Sequence, residues 1–253
     1  MEESPHVPND SHADAEQLAA AAVALNRHAE VLGELGRLFA DAGHELYLVG
    51  GSVRDALLGR LGTDLDFTTD ARPDRIQRVV SSWADAMWDT GIAFGTVGVG
   101  KDADRLELTT FRADAYDGVT RNPEVQFGDR LEDDLVRRDF TMNAMAVRIT
   151  PSGAGEFLDP LGGLDDLRTM TLDTPAEPDV SFGDDPLRML RAARFVSQLG
   201  VTVAPRVRDA LQHLAPELGR ITAERVSAEL DKLLLGADPV SYTHLTLPTT
   251  PYV

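Results

Sequence analysis

The chain has 253 residues, 43% of them hydrophobic, enough for one large domain or two small ones with a real core. Its 42 acidic and 24 basic residues give a formal charge of -18, which excludes nucleic-acid binding over the whole surface and sends any polyanion to a local basic patch. The chain has no cysteine, which excludes disulfides and thiolate metal sites and fits a reducing cytoplasm, and no apolar run approaches the roughly 20 residues of a membrane helix.

Residues 1–14, within "MEESPHVPNDSHADAEQ", read as a disordered leader, because so few large apolar residues cannot offset chain entropy. From Ala15 to Asp41 the positions of Leu25, Leu32, Leu35 and Phe39 predict one amphipathic helix ending near Gly43. Next, "ELYLVGG" predicts a strand and turn, "VRDALLG" a short helix, "DLDFTT" a strand, and "PDRIQRVVSSWAD" a helix with Pro73 in its first turn. Two strands joined by a polar "KDAD" turn are expected in "IAFGTVGVG" and "RLELTTFRA". Their glycines are not a dinucleotide loop, which would lead from strand into helix.

Residues 112–130 are expected to form a mobile loop. After "EFLDPLGGLDDL" the strand signals stop, and helices are predicted in "DDPLRMLRAARFVSQLG", "APRVRDALQHLAP" and "ITAERVSAELDKLLLG". A boundary near residues 150–170 then separates a mixed part, 15–150, from a helical part, 151–240. Residues 241–253, "SYTHLTLPTTPYV", match neither part and read as foreign, of the kind that translated vector or adaptor sequence gives.

In a strand Asp64 and Asp66 point to one face while Leu65 and Phe67 point to the core. Two carboxylates so close repel, and a divalent, oxygen-seeking cation such as Mg2+ neutralises them; a solvated turn in an acidic protein is the alternative. In "GGSVRD", Gly50 and Gly51, followed by Ser52, stand where strand turns into helix, so backbone N–H groups can approach a phosphate. Arg54 could add a bidentate phosphate contact. Together these features describe a nucleotidyl-transfer site. Glu107 joins as a third acid if its strand pairs beside the Asp64–Asp66 strand, and is otherwise a solvated strand position.

"LVGGSVRDALLG", "DLDFTTD", "ELTTFR", "RRDFTMNAMA", "DPLGGLDDL", "DDPLRMLRAARF" and "ERVSAELDKLL", in that order over residues 45–236, resemble the motifs of class II CCA-adding tRNA nucleotidyltransferases and bacterial poly(A) polymerases. "DARPD" is similar to high-GC, actinobacterial-type members. The resemblance implies an α+β chain with a polymerase-β-like nucleotidyltransferase head and an all-helical neck, continued in the family by domains that bind tRNA. It implies addition of C and A to tRNA 3' ends from CTP and ATP in the cytoplasm, with Asp64 and Asp66 holding Mg2+ and Glu107 beside them. The alternatives are a poly(A) polymerase, an enzyme adding only CC or only A, or a silent nucleotide- or RNA-binding fragment. Six histidines, none followed by Asp, support neither a zinc site nor an HD-type phosphohydrolase.

By the same resemblance Arg138 contacts the nucleotide and Asp139, with Asn143, recognises the ribose. From the residues alone, Asp139 is equally the N-cap of a helix "FTMNAMA" within a surface ion pair. Asp185, Arg188, Arg191 and Arg194 recur every three residues, as a salt-bridged exposed face or as a nucleotide-reading row. Cytosine and adenine both present an amino donor beside a ring acceptor, so Asp185 accepting and Arg188 donating would fit C and A and mismatch U and G. The resemblance adds Arg191 and Arg194 near the phosphates, and a family Glu at the position of Asp184.

Overall fold

The computed structural model describes residues 10–89, 91–112 and 127–240. The first nine residues of the expected leader, most of the 112–130 loop and the 241–253 tail lie outside the described residues. The chain forms two compact units, one of Met1–Thr110 with Ala146–Leu158 and one of Phe111–Met145 with Asp159–Val253. A single cut near 150–170 therefore does not describe it. Two strands after residue 145 complete the first unit's sheet, and the segment before them belongs with the helices.

The first unit begins with α1 (Asp10–Asn26) and α2 (Ala29–Asp41), where one helix starting at Ala15 was expected. The helix starts inside the expected leader, at Asp10. It breaks at His28, whose backbone leaves helical geometry at φ -108° and ψ 15° and whose Nδ1 pairs with Asp104 at 2.9 Å. Leu25, Leu32, Leu35 and Phe39 are all buried, as their spacing predicts.

Next come β1 (Leu46–Val49), α3 (Gly51–Leu57), β2 (Asp64–Thr69), α4 (Pro73–Val80), β3 (Ala86–Trp88), β4 (Thr96–Lys101) and β5 (Asp104–Thr110), with β6 (Ala146–Thr150) and β7 (Gly153–Leu158) returning from the second unit. The sheet order is β3-β4-β5-β2-β1-β6-β7, and only β2 and β5 pair in parallel. All four residues of β1 are buried, as a central strand's continuous apolar run requires. On β2, Leu65 and Phe67 are each 1% exposed, contributing roughly 1.5–3 kcal/mol apiece, while Asp64 and Asp66 are exposed. The expected hairpin of β4 and β5 is present, whereas β3 was not foreseen.

The second unit contains α5 (Leu131–Val136), a 3-10 turn at Thr141–Asn143, α6 (Gly163–Arg168), α7 (Pro178–Asp184), α8 (Leu187–Leu199), α9 (Pro205–Leu214) and α10 (Ala223–Leu234). Strand signals do not stop altogether, because β8 (Thr171–Leu172) and β9 (Thr202–Val203) form a short parallel pair. Phe140 meets Phe195 of α8 edge-on, centroids 5.5 Å apart, in this unit's core. No helix among the described residues is long and apolar enough to cross a membrane.

Candidate active site

Gly50 caps α3 with φ +69° and ψ -138°, a conformation closed to most side chains, and this lets β1 turn directly into the helix. Ser52, buried in the first turn of α3, accepts a hydrogen bond from the Asp66 N–H at 2.9 Å and donates to the Asp64 carbonyl at 3.4 Å. The glycine turn is thereby fastened to the backbone of the strand that carries both acids. Parallel pairing of β2 with β5 sets Glu107 directly opposite Asp66, so the condition for a third acid on this face is met.

The three acids share a face without forming a closed cage: among the described residues no group of three or more His, Cys, Asp or Glu is placed to hold a metal ion. Two adjacent exposed carboxylates fit Mg2+, which characteristically takes one or two carboxylates and completes its shell with water and substrate phosphates.

Arg54 differs from expectation. It is 8% exposed, and its Nε and Nη2 each donate to Asp55 at 3.0 Å, which also receives Arg60 at 3.1 Å. A buried guanidinium needs a counter-charge, and the partly exposed Asp55 is its immediate neighbour, so the Nε–Nη2 edge of Arg54 already faces a carboxylate.

The segment Arg138 to Asn143 is built otherwise than a capped helix. "FTMNAMA" makes one 3-10 turn and then enters β6. Arg138 pairs with buried Asp134 of α5 at 2.9 Å. Asp139 is 8% exposed; its Oδ1 accepts from the Phe140 N–H at 2.9 Å and from Asn143 Nδ2 at 3.0 Å, and its Oδ2 accepts from Arg191 Nε at 2.8 Å and Nη2 at 2.5 Å. Four donors occupy the carboxylate's four lone-pair sites, so a ribose hydroxyl could reach it only by displacing one of them. Burial pushes the Asp139 pKa up, but Arg191 and the hydrogen bonds from Asn143, Arg191 and Phe140 outweigh it and hold the carboxyl below its ordinary value.

The arginine row is not a solvated face. Arg194 is 8% exposed and pairs with Glu229 of α10, itself 5% exposed, at 3.3 Å, and Arg191 approaches the same carboxylate at 4.0 Å. Arg188 donates to Ser181 Oγ at 2.8 Å and to the Arg137 carbonyl at 2.5 Å; burial pushes its pKa down against the pull of Asp139, Asp185 and Asp184. Asp185 is not on the helix. It precedes Pro186, whose ring disfavours helical geometry in the residue before it, and stands extended at φ -139° and ψ 97°. One of its oxygens accepts from the Leu187 N–H at 3.2 Å and the other pairs with Arg225 of α10 at 2.9 Å. Asp185 and Arg188 thus present separate side chains held by different neighbours.

Sequence reasoning did not single out Glu229, Arg225, Asp134 or Asp55. For Glu229 a signal existed, since it lies four residues before buried Leu233 on the apolar stripe of α10.

A glycine turn, a strand with alternating exposed acids and a third acid in register define a nucleotidyltransferase fold. A poly A polymerase head-domain family model matches residues 46–173, just over half of the chain, and the chain belongs to that family. A second model, described as "Probable RNA and SrmB- binding site of polymerase A", matches residues 200–245. The chain is 40% identical over 201 residues to the CCA-adding enzyme of Bacillus subtilis, covering 79% of this chain and 49% of that protein. It is 43% identical over 195 residues to that of Geobacillus thermodenitrificans, covering 77% and 46%. Among solved structures, the Bacillus stearothermophilus CCA-adding enzyme in complex with CTP matches with a TM-score of 0.75 at 37% identity, over 87% of this chain and 51% of that one. The Thermotoga maritima CCA-adding enzyme complexed with tRNA matches with a TM-score of 0.71 at 27% identity, over 88% and 53%. The chain spans about half the length of the curated relatives it matches.

Proposed function

We propose that this protein is a magnesium-dependent, template-independent RNA nucleotidyltransferase that adds C and A to tRNA 3' ends from CTP and ATP. The observation that carries the reading is the pairing of Asp66 with Glu107 across parallel strands, beside Asp64 and the Ser52-fastened turn. Similarity to CCA-adding enzymes solved with CTP, with ATP and with tRNA supports the substrates, and the reaction would take place in the cytoplasm.

Asp64 and Asp66 would hold Mg2+, which when bound activates the attacking 3'-hydroxyl and offsets charge at the α-phosphate. Gly50, Gly51 and Ser52 would face the triphosphate with backbone N–H donors, the Ser52 hydroxyl serving as the tie to β2. Arg54 would serve there through its pair with Asp55 rather than as a free fork. Asp185 would accept the amino hydrogen of C or A and Arg188 would donate to the ring acceptor; a wrong base would leave buried charges unpaired. Asp139, with Asn143, would orient Arg191, and Arg138 and Arg194 would complete the cationic lining.

The test is incubation with tRNA lacking its 3' end, CTP, ATP and Mg2+, followed by sequencing of the product. Ordered addition of C, C and A is expected. Long runs of A would assign a poly(A) polymerase instead, and nucleotide binding without turnover would assign a silent binding module.

A further inference from the structure

The face that carries the acids continues into an aromatic surface, and strand register fixes its layout. Asp66 stands opposite Glu107, Glu107 opposite Gly98, and Gly98 opposite Trp88, so one row crosses β2, β5, β4 and β3. The row beside it reads Asp64, Arg105, Gly100, Ala86. Directly opposed residues of paired strands project to the same side, and the third row bears this out, since the hydroxyls of Thr96 and Thr109 lie 2.9 Å apart.

The indole of half-buried Trp88 lies down over β4. A Cβ at Gly98 would fall 1.9 Å from Trp88 Nε1, and one at Gly100 would fall 3.7 Å from its Cζ3. Glycine weakens a strand interior and marks a close approach, so these two glycines are the seat of the ring. Exposed Arg105 places its guanidinium carbon 5.0 Å from the ring centroid. It makes no ion pair with a described residue, although Asp64 is its neighbour in register. A cation on an aromatic ring with no ion-pair partner among the described residues, in the same two rows as the acids of a protein of net charge -18, calls for an anionic, flat-faced ligand.

We propose that Trp88 and Arg105 are the platform for the 3'-terminal nucleotide of the RNA acceptor strand, whose base stacks on the pair and whose phosphate meets Arg105. This rests on the nucleotidyl-transfer reading of Asp64 and Asp66. The chemistry favours the acceptor over the incoming nucleotide. An acceptor end changes identity after each addition, so its contact must tolerate any base, and stacking does because every base has a π-face. The incoming base has to be discriminated, which takes hydrogen bonds that an indole face cannot supply.

The chain has two tryptophans, so Trp83→Phe leaves Trp88 as the sole indole emitter. A single-stranded oligoribonucleotide ending in CC, titrated into this variant, is expected to quench the emission saturably, and CTP alone is not. Trp88→Ala and Arg105→Gln are expected to raise KM for the RNA about tenfold or more with KM for CTP unchanged, and Trp88→Phe to restore most of the loss. Absence of quenching alongside normal nucleotide addition would overturn the proposal, as would a rise in KM for CTP in place of RNA, or lost thermal stability with unchanged kinetics. If the unsubstituted chain adds no nucleotide, the transfer reading fails separately, and the titration still decides the platform. Should Trp83→Phe not fold, the difference in emission between the unsubstituted chain and Trp88→Phe gives the same signal.

Discussion

The two units handle charge in opposite ways. On the first unit's sheet face, Asp64, Asp66 and Glu107 are exposed, and the carboxylates of Asp64 and Glu107 make no ion pair with a described residue. In the second unit, Asp139, Arg191, Arg194 and Glu229 are joined in one chain of ion pairs from the residue before Phe140 through α8 to α10, all but Arg191 buried. Acids left open are positioned for a ligand and cost the fold repulsion. Acids closed by arginine hold the fold and fix the directions of the guanidinium groups. Substitution should therefore separate activity from stability in the first unit and damage both together in the second.

The largest effect is expected at Asp64→Ala and Asp66→Ala. Nucleotide addition should fall on the order of a thousandfold or more, since the metal-holding pair is lost. The melting temperature should stay level or rise slightly, because a like-charge contact is relieved. Calorimetry alongside initial rates checks both, and a marked drop in melting temperature would break the contrast between the units. Base choice should respond almost as strongly to exchange of Asp185→Arg with Arg188→Asp. C and A incorporation should collapse, with UTP or GTP improving relative to them in a competition assay. An unchanged preference would move base selection to other residues.

Stability is the expected casualty of Glu229→Ala. Removing one partner of a buried pair costs about 3–5 kcal/mol, because Arg194 stays charged and loses its buried counter-charge. At this chain length that lowers the melting temperature by roughly 10 °C. Glu229→Gln should lose less, since its amide oxygen still accepts one hydrogen bond. Thermal unfolding of both variants tests this, and near-native stability of the alanine variant would mean that the second unit's charges are not what holds α10 to α8.

The same contrast explains what was legible in the sequence. Alternation along β2 was readable because one face is buried, and period 2 then exposes Asp64 and Asp66 together. The parallel pairing that sets Glu107 beside Asp66 links residues 41 apart and could only be posed as a condition. "FTMNAMA" has helical propensity, yet its last residue, Ala146, pairs with Val49 of β1 as the start of β6, so tertiary pairing overrode local preference. At the break, the partner of His28 is Asp104, 76 residues away. Spacing every three residues grouped Asp185 with the arginines, but the proline between them takes the aspartate off the helix. Partner choice was least legible of all. No pattern along the chain says that Arg225 reaches Asp185 or that Arg54 turns to Asp55.

The smallest effect is expected in the acid limb of unfolding, and it isolates one carboxylate. Folding holds the Asp139 pKa below its ordinary value of about 3.9, against the upward push of burial, because Arg191, Asn143 and the Phe140 N–H favour the charged form. A depressed pKa means that the unfolded chain takes up the proton first as pH falls. Its contribution is therefore fully present above the ordinary value and is lost as pH drops through the folded one. Asp139→Asn should be less stable than the unsubstituted chain at pH 7, because Arg191 loses its counter-charge, and the two stability curves should converge toward pH 2. Denaturant unfolding of the two proteins between pH 7 and pH 2 reads the difference directly, with carboxylates common to both cancelling. Parallel curves for the unsubstituted chain and Asp139→Asn would show that the second unit uses Asp139 for its shape and hydrogen bonds and not for its charge.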